Sequence, residues 1–154
     1  MLIRVTTRHS SDFDILTANP DPAQSPYAKF CKDYGRKVRA FYDELGIRSA
    51  IWTTPEAHPP RYLESLKPIE YLLEVDEARV AAYVNEDTWS PYIDERLPAF
   101  EYSRTRVNYG TMSILVIAPL ELAEVKEFRR YRRINGPDKY ELVERYAWPP
   151  NCRL

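Results

Sequence analysis

Gly46-Ile47-Arg48-Ser49-Ala50-Ile51-Trp52-Thr53-Thr54-Pro55-Glu56, followed after a proline-rich bend by Ile69-Glu70-Tyr71-Leu72-Leu73-Glu74-Val75, is the stretch from which the fold is read. Both segments are rich in β-branched, aromatic and aliphatic residues, which fit a pleated, half-buried surface. Both are punctuated: Gly46 precedes the first, Pro55, Pro59 and Pro60 follow it, and Pro68 precedes the second. The pattern predicts strands over Ile47 to Thr54 and Ile69 to Val75. A short crossover joins them, with Arg61 to Leu66 as a short helix. Trp52-Thr53-Thr54 close the first strand, where a ring and a hydroxyl pair would form the floor of a pocket.

Upstream, Ser25 to Gly46 predicts the main helix. Ser25 is a capping residue and Pro26 suits the first helical position. Tyr27, Phe30, Tyr34, Val38, Phe41, Tyr42 and Leu45 recur at three- and four-residue steps as one apolar stripe, and Gly46 is the expected stop. Lys29, Lys32, Arg36, Lys37 and Arg39 decorate the other surface, more in the manner of a solvated face than of a phosphate track. Leu2 to Thr7 alternates and predicts the first strand, with Arg4 either on a solvated face or held in a pocket by a carboxylate. Residues 8–24 read mostly as loop, with one helical turn at Asp12 to Leu16.

Downstream, Asp76-Glu77-Ala78 turns into an extended piece, Arg79 to Val84. Asn85-Glu86-Asp87 is a loop and cap before a short helix, Thr88 to Leu97. Pro98 to Asn108 reads as a partly extended loop. Thr111 to Ala118, around Ile114-Leu115-Val116-Ile117, is the most apolar strand, and Leu120 to Ala123 is one turn. Val125 to Ile134 and Lys139 to Trp148 flank Asn135-Gly136-Pro137-Asp138, a hairpin signal. The expected architecture is a single α+β domain, residues 1–154. One long helix packs on a mixed, mainly antiparallel sheet, with a C-terminal β-hairpin within 121–148 and a loose tail at 149–154.

The chain has 154 residues, 44% of them apolar and 29% charged, with a net charge of −1. These values suit one soluble domain. No apolar run reaches the ~20 residues of a membrane span, and Met1-Leu2-Ile3-Arg4 is not a signal peptide, so a cytoplasmic location and no membrane partner are expected. Cys31 and Cys152 do not make a disulfide framework, and His9 and His58 lack ligand spacing, so no metal is expected. Cys31 lies beside the helix stripe, where a cysteine is usually an inert core residue. Lysine occurs only at 29, 32, 37, 67, 126 and 139, and arginine dominates, accompanied by twelve tyrosines and three tryptophans. That pairing suits a nucleotide, a nucleic acid or a protein interface; codon usage in a GC-rich genome produces the same bias. Four glycines leave no Walker loop, G-x-G-x-x-G or G-x-S-x-G.

The constellation with chemical content is Arg4 and Thr6 on the first strand, Trp52-Thr53-Thr54 on the second, and a later acid. Arginine pairs with phosphate, hydroxyls bond a ribose or amide, and an aromatic ring stacks on a base. The same threonines and tryptophan are also simply good strand formers. Arg4-Val5-Thr6, Ile51-Trp52-Thr53-Thr54, Tyr71-Leu72-Leu73-Glu74-Val75-Asp76 and Thr111-Met112-Ser113-Ile114-Leu115-Val116-Ile117-Ala118-Pro119 together resemble the ADP-ribosyltransferase fold, including its DNA-modifying toxin branch. The resemblance spans roughly residues 1–120 and implies binding of NAD. Arg4 would contact phosphate or ribose, Thr53 and Thr54 would brace the nicotinamide ribose, and Tyr62 would stack on the ring, with Thr6, His9 and Trp52 completing the cofactor site. Met112 and Ser113 stand where the family has its catalytic glutamate. Arg4, Thr54 and Glu101, the last if its loop folds back, are then the expected catalytic set.

Two other function classes fit the same chain. One is a non-enzymatic phage or mobile-element protein that inhibits a host complex, an anti-defence role, through Arg129, Arg130, Tyr131, Arg132 and Arg133 on the basic hairpin arm. The other is a nucleic-acid-binding module built on Arg and Tyr stacking, against which the near-zero net charge counts.

Overall fold

The computed structural model describes residues 1–7, 30–56, 69–120, 125–133 and 140–147. Eight strands order as β5-β4-β6-β2-β1-β3-β7-β8 in one sheet. They are β1 (Leu2–Thr7), β2 (Ala50–Pro55), β3 (Ile69–Glu74), β4 (Val80–Asn85), β5 (Tyr102–Ser103), β6 (Met112–Ile117), β7 (Val125–Arg133) and β8 (Tyr140–Ala147). Two α-helices, α1 (Tyr34–Leu45) and α2 (Glu86–Ile93), and one 3-10 turn, Glu77–Arg79, complete the described elements. The fold is therefore α+β. The sheet is antiparallel at every registered pairing of the described strands rather than mixed.

β1 lies between β2 and β3 and pairs antiparallel with both. The two strands of the opening stretch thus run parallel to each other, which a tight hairpin could not achieve and a crossover can. Residues 57–68, where the crossover helix is expected, lie outside the described residues. So do the expectations for residues 8–24, for Ser25 and Pro26 at the helix start, for the turn at 121–124, for Asn135 to Asp138 and for the tail. β7 and β8 pair along their length with a register shift between Arg130 and Tyr131.

The main helix begins later than its apolar stripe indicates. Residues 30–33 are turn rather than helix, and Asp33 sits at φ +58°, the left-handed region that Asp tolerates better than most residues. Phe30, part of the expected stripe, is 84% exposed. From Tyr34 on the stripe holds: Val38, Phe41, Tyr42 and Leu45 are buried. Gly46 ends the helix at φ +74°. Its N–H donates to the Asp43 carbonyl and the Ile47 N–H to the Tyr42 carbonyl, the paired Schellman arrangement that favours glycine. α2 starts two residues before the expected Thr88, because the Asn85 side chain accepts from the Asp87 N–H and caps it there.

Alternation divides the core between the two sheet faces. Ile3, Ile51, Leu73, Tyr83, Met112, Ile114 and Val116 pack on one face. Ala50, Ala82, Val84 and Leu115 meet both helices on the other, through Val38, Phe41, Tyr42, Leu45, Trp89 and Ile93. Among the basic residues of α1, Lys37 Nζ donates to the Tyr92 carbonyl at 3.3 Å and Arg39 to the Arg48 carbonyl at 2.6 Å. Both therefore clamp neighbouring chain.

Candidate functional site

Arg4 and Thr54 are registered partners in the β1–β2 pair. Directly opposed residues of an antiparallel pair share a face, with Cβ atoms about 4.5–5.5 Å apart. Trp52 packs with the helix-side cluster, and Thr54, two residues on, shares its face by alternation. Arg4 and Thr54 are thus adjacent positions on the helix-bearing face. Thr6 occupies the same face of β1, two residues from Arg4 and opposite Glu70 on β3. His9 and Tyr62 lie outside the described residues, as do the side chains of Arg4 and Thr6.

Thr53 is turned the other way. It is 2% exposed and its hydroxyl donates to the Ile114 carbonyl at 2.8 Å. The two threonines, read together from sequence, belong to opposite faces; Thr53 ties β2 to β6, and Thr54 faces the helix side. Trp52 is half-buried with its indole N–H donated to the Tyr42 hydroxyl at 2.8 Å. Its ring lies 4.8 Å from that of Trp89 and 6.4 Å from that of Phe41, centroid to centroid. Phe41, Trp89, Tyr92, Phe100 and Tyr102 extend this aromatic layer. Trp52 forms a wall beside Thr54, its ring already packed against another ring.

Glu101 does not join Arg4 and Thr54. Its carbonyl accepts from the Asn85 N–H and its own N–H donates to Thr88 Oγ1, which holds it on the β5 side of β4, beside the start of α2. From there to β2 is three strand spacings, roughly 14 Å at ~4.8 Å each. Its carboxylate faces Tyr109, whose phenol is pushed up by burial first and then by Glu101. Tyr109 packs on the cluster of the opposite sheet face.

A different carboxylate reaches the row. β2 and β6 are registered up to Thr53 opposite Ile114. One residue further stand Thr54 and Ser113, and Ser113 is itself registered with Val84 of β4. Ser113 is 6% exposed and its hydroxyl donates to Glu86 Oε1. Glu86 is the first residue of α2, its N–H donated to the Thr111 carbonyl at 3.0 Å. Burial raises its carboxyl above the ordinary range, Ser113 works against that rise, and the Asp87 charge adds to it. Sequence reasoning passed over Glu86 as a loop and cap residue, since nothing in its spacing announces a partner on a later strand.

Cys31, on the turn before α1, is half-buried; its Sγ lies 3.7 Å from an Asp94 carboxylate oxygen. Its thiol is raised by burial first and by Asp94, the opposite of what a nucleophile needs. Among the described residues there is no group of three metal-ligating side chains, and no helix is long and apolar enough to cross a membrane. Thr54, Ser113 and Glu86 place hydroxyls and a carboxylate on one apolar face, next to the strand position of Arg4. Such a set suits a polyhydroxylated, anionic ligand. Compared with known proteins, the chain matches no family model, no curated protein and no solved structure.

Proposed function

We propose that the protein is an ADP-ribosyltransferase-like domain that binds NAD or a related nucleotide and transfers ADP-ribose to a nucleic acid or a protein. The single observation that carries this reading is the registered pairing of Arg4 with Thr54. It puts positions 4 and 54 side by side; in this reading Arg4 is the phosphate-binding cation and Thr54 a ribose-binding hydroxyl. Trp52 forms the adjoining wall, and Thr6, His9 and Tyr62 complete the cofactor site in this reading. The finer architecture that goes with it is a C-terminal β7–β8 hairpin, in a cytoplasmic setting. Titration calorimetry with NAD and ADP-ribose tests it. Measurable binding by the wild type, lost in Arg4→Ala with the circular dichroism spectrum retained, is the expected result. Absence of heat with either nucleotide overturns it.

A second reading has its own observation. β7 and β8 form one end of the sheet order, so the Arg129, Arg130, Tyr131, Arg132 and Arg133 segment lies next to the terminal strand. In this reading that end meets a host protein or a nucleic acid. Charge reversal at the four arginines abolishes partner capture if the surface is used, and nucleic-acid binding there weakens steeply with salt. Capture that survives the reversal excludes it.

A further inference from the structure

β4 reads Val80-Ala81-Ala82-Tyr83-Val84-Asn85, rich in strand formers, uncharged and free of proline. Such a segment pairs readily with copies of itself when its edge is open. One side of β4 is taken by β6. The other meets β5, the outermost of the described strands on that side, and β5 is two residues long. Sheets guard such an edge with charges or bulges in the strand, or by covering it. A register shift between Val80 and Ala82 blunts the start of β4. Tyr83, Val84 and Asn85 have neither charge nor bulge.

Residues 98–110 cover that stretch. Phe100 and Tyr102 pack against the helix-side cluster, and Val107 and Tyr109 against the cluster on the opposite face. Between them the chain therefore passes around the outer edge of β4. On the way, Tyr102 and Ser103 pair with Val84 and Tyr83, and the Glu101 carbonyl accepts from the Asn85 N–H at 3.0 Å. A turn then ends β5: Ser103 Oγ donates to the Thr105 carbonyl at 2.8 Å and accepts from the Thr105 N–H at 3.2 Å. Arg104 donates to the Glu44 carbonyl of α1 at 2.6 Å, and Arg106 to Glu77 Oε1 at 2.7 Å. Both arginines are exposed. The charges that β4 lacks thus stand on the segment that crosses it.

We propose that residues 98–110 are a strap that holds the β4 edge in place of a second copy of the chain. Loosening the strap lets β4 pair antiparallel with β4 of that copy. The occupant is a second copy because an uncharged strand sets no like charges opposite one another when it meets itself. The strap's anchors on α1 and at Glu77 are independent of the nucleotide reading.

The test is the double variant Arg104→Ala/Arg106→Ala of the full chain. Both changes remove exposed anchors and leave the apolar contacts of the strap in place. Amide exchange and sedimentation velocity are measured from low to high protein concentration, with circular dichroism as the check on folding. At low concentration the Asn85 amide, bonded to the strap, should exchange at least about tenfold faster than in the wild type. As concentration rises the variant should sediment as a dimer or larger species, and protection at Asn85 should return. The wild type should stay monomeric throughout. If the double variant fails to fold, Arg106→Ala alone, which removes only an exposed ion pair, serves with smaller shifts in the same two readouts. Wild-type exchange at Asn85, or fast exchange in a variant that stays monomeric, or association that leaves Asn85 unprotected, overturns the proposal.

Discussion

Removing the Tyr42 hydroxyl is the most direct probe of how Trp52 is held. Tyr42 is buried on α1; its oxygen accepts the Trp52 indole N–H at 2.8 Å and donates weakly to the Ala50 carbonyl at 3.5 Å. Burial is the main reason its phenol is pushed up to about 12, so the hydroxyl is intact across the neutral range. Tyr42→Phe keeps the ring and deletes only the acceptor. The long bond to Ala50 contributes little. The orphaned indole N–H is the principal loss: about 1–3 kcal/mol for a fully buried donor, and about 1–2 for the half-buried Trp52. For a domain of this size that corresponds to a fall in Tm of roughly 2–8 °C. Thermal and urea unfolding followed by circular dichroism read it directly. Trp52→Phe and the double variant complete a cycle, and a coupling of about 0.5–1.5 kcal/mol is expected because the two groups are lost together. A Tm within about 1 °C of wild type, with no coupling, would refute the claim that this hydrogen bond fixes the tryptophan.

Three further outcomes follow from the packing and the charges. Leu115→Ala, at a fully buried position on β6 against the helix-side cluster, should cost about 2–5 kcal/mol in urea unfolding. Gly46→Ala, at φ +74° with open space around a Cβ, should cost about 1–2 kcal/mol from backbone strain alone, and Gly46→Asn less. Glu86 has a carboxyl raised by burial, so between its unfolded and native pKa the native state holds the extra proton and stability falls as pH rises through that window. Unfolding of Glu86→Gln measured across pH should lack that decline, so its stability relative to wild type rises through the window and levels off above it; parallel curves would contradict the burial of this acid.

Part of the candidate row was legible in the sequence. Arg4, Trp52 and Thr54 stood out because strand-end hydroxyls and an arginine inside an alternating segment are unusual and chemically useful. Alternation alone could also have told Thr53 from Thr54, since neighbouring residues on a strand face opposite ways. Glu86 offered no such sign. Its partner Ser113 is 27 residues away, and the contact exists only because β4 runs antiparallel to β6 and ends in a helix cap. Glu101 misled for the converse reason: closeness in sequence to β6 says nothing about which face a loop residue takes.

What the chain's own residues determined was local. Apolar runs set off by proline and glycine gave β1, β3 and β6 to within a residue and β2 to within three, its start falling at Ala50 rather than Ile47, and Gly46 fixed the end of α1, because strand formation and helix termination depend on side chains within a few positions. The order of the strands, the turn at Asp33 that delays α1, the two-residue β5, the register of Arg4 opposite Thr54 and the contact of Ser113 with Glu86 were decided only by the tertiary structure. Each depends on which strand lies beside which, and that is settled by burying both faces of the sheet at once rather than by any stretch read alone.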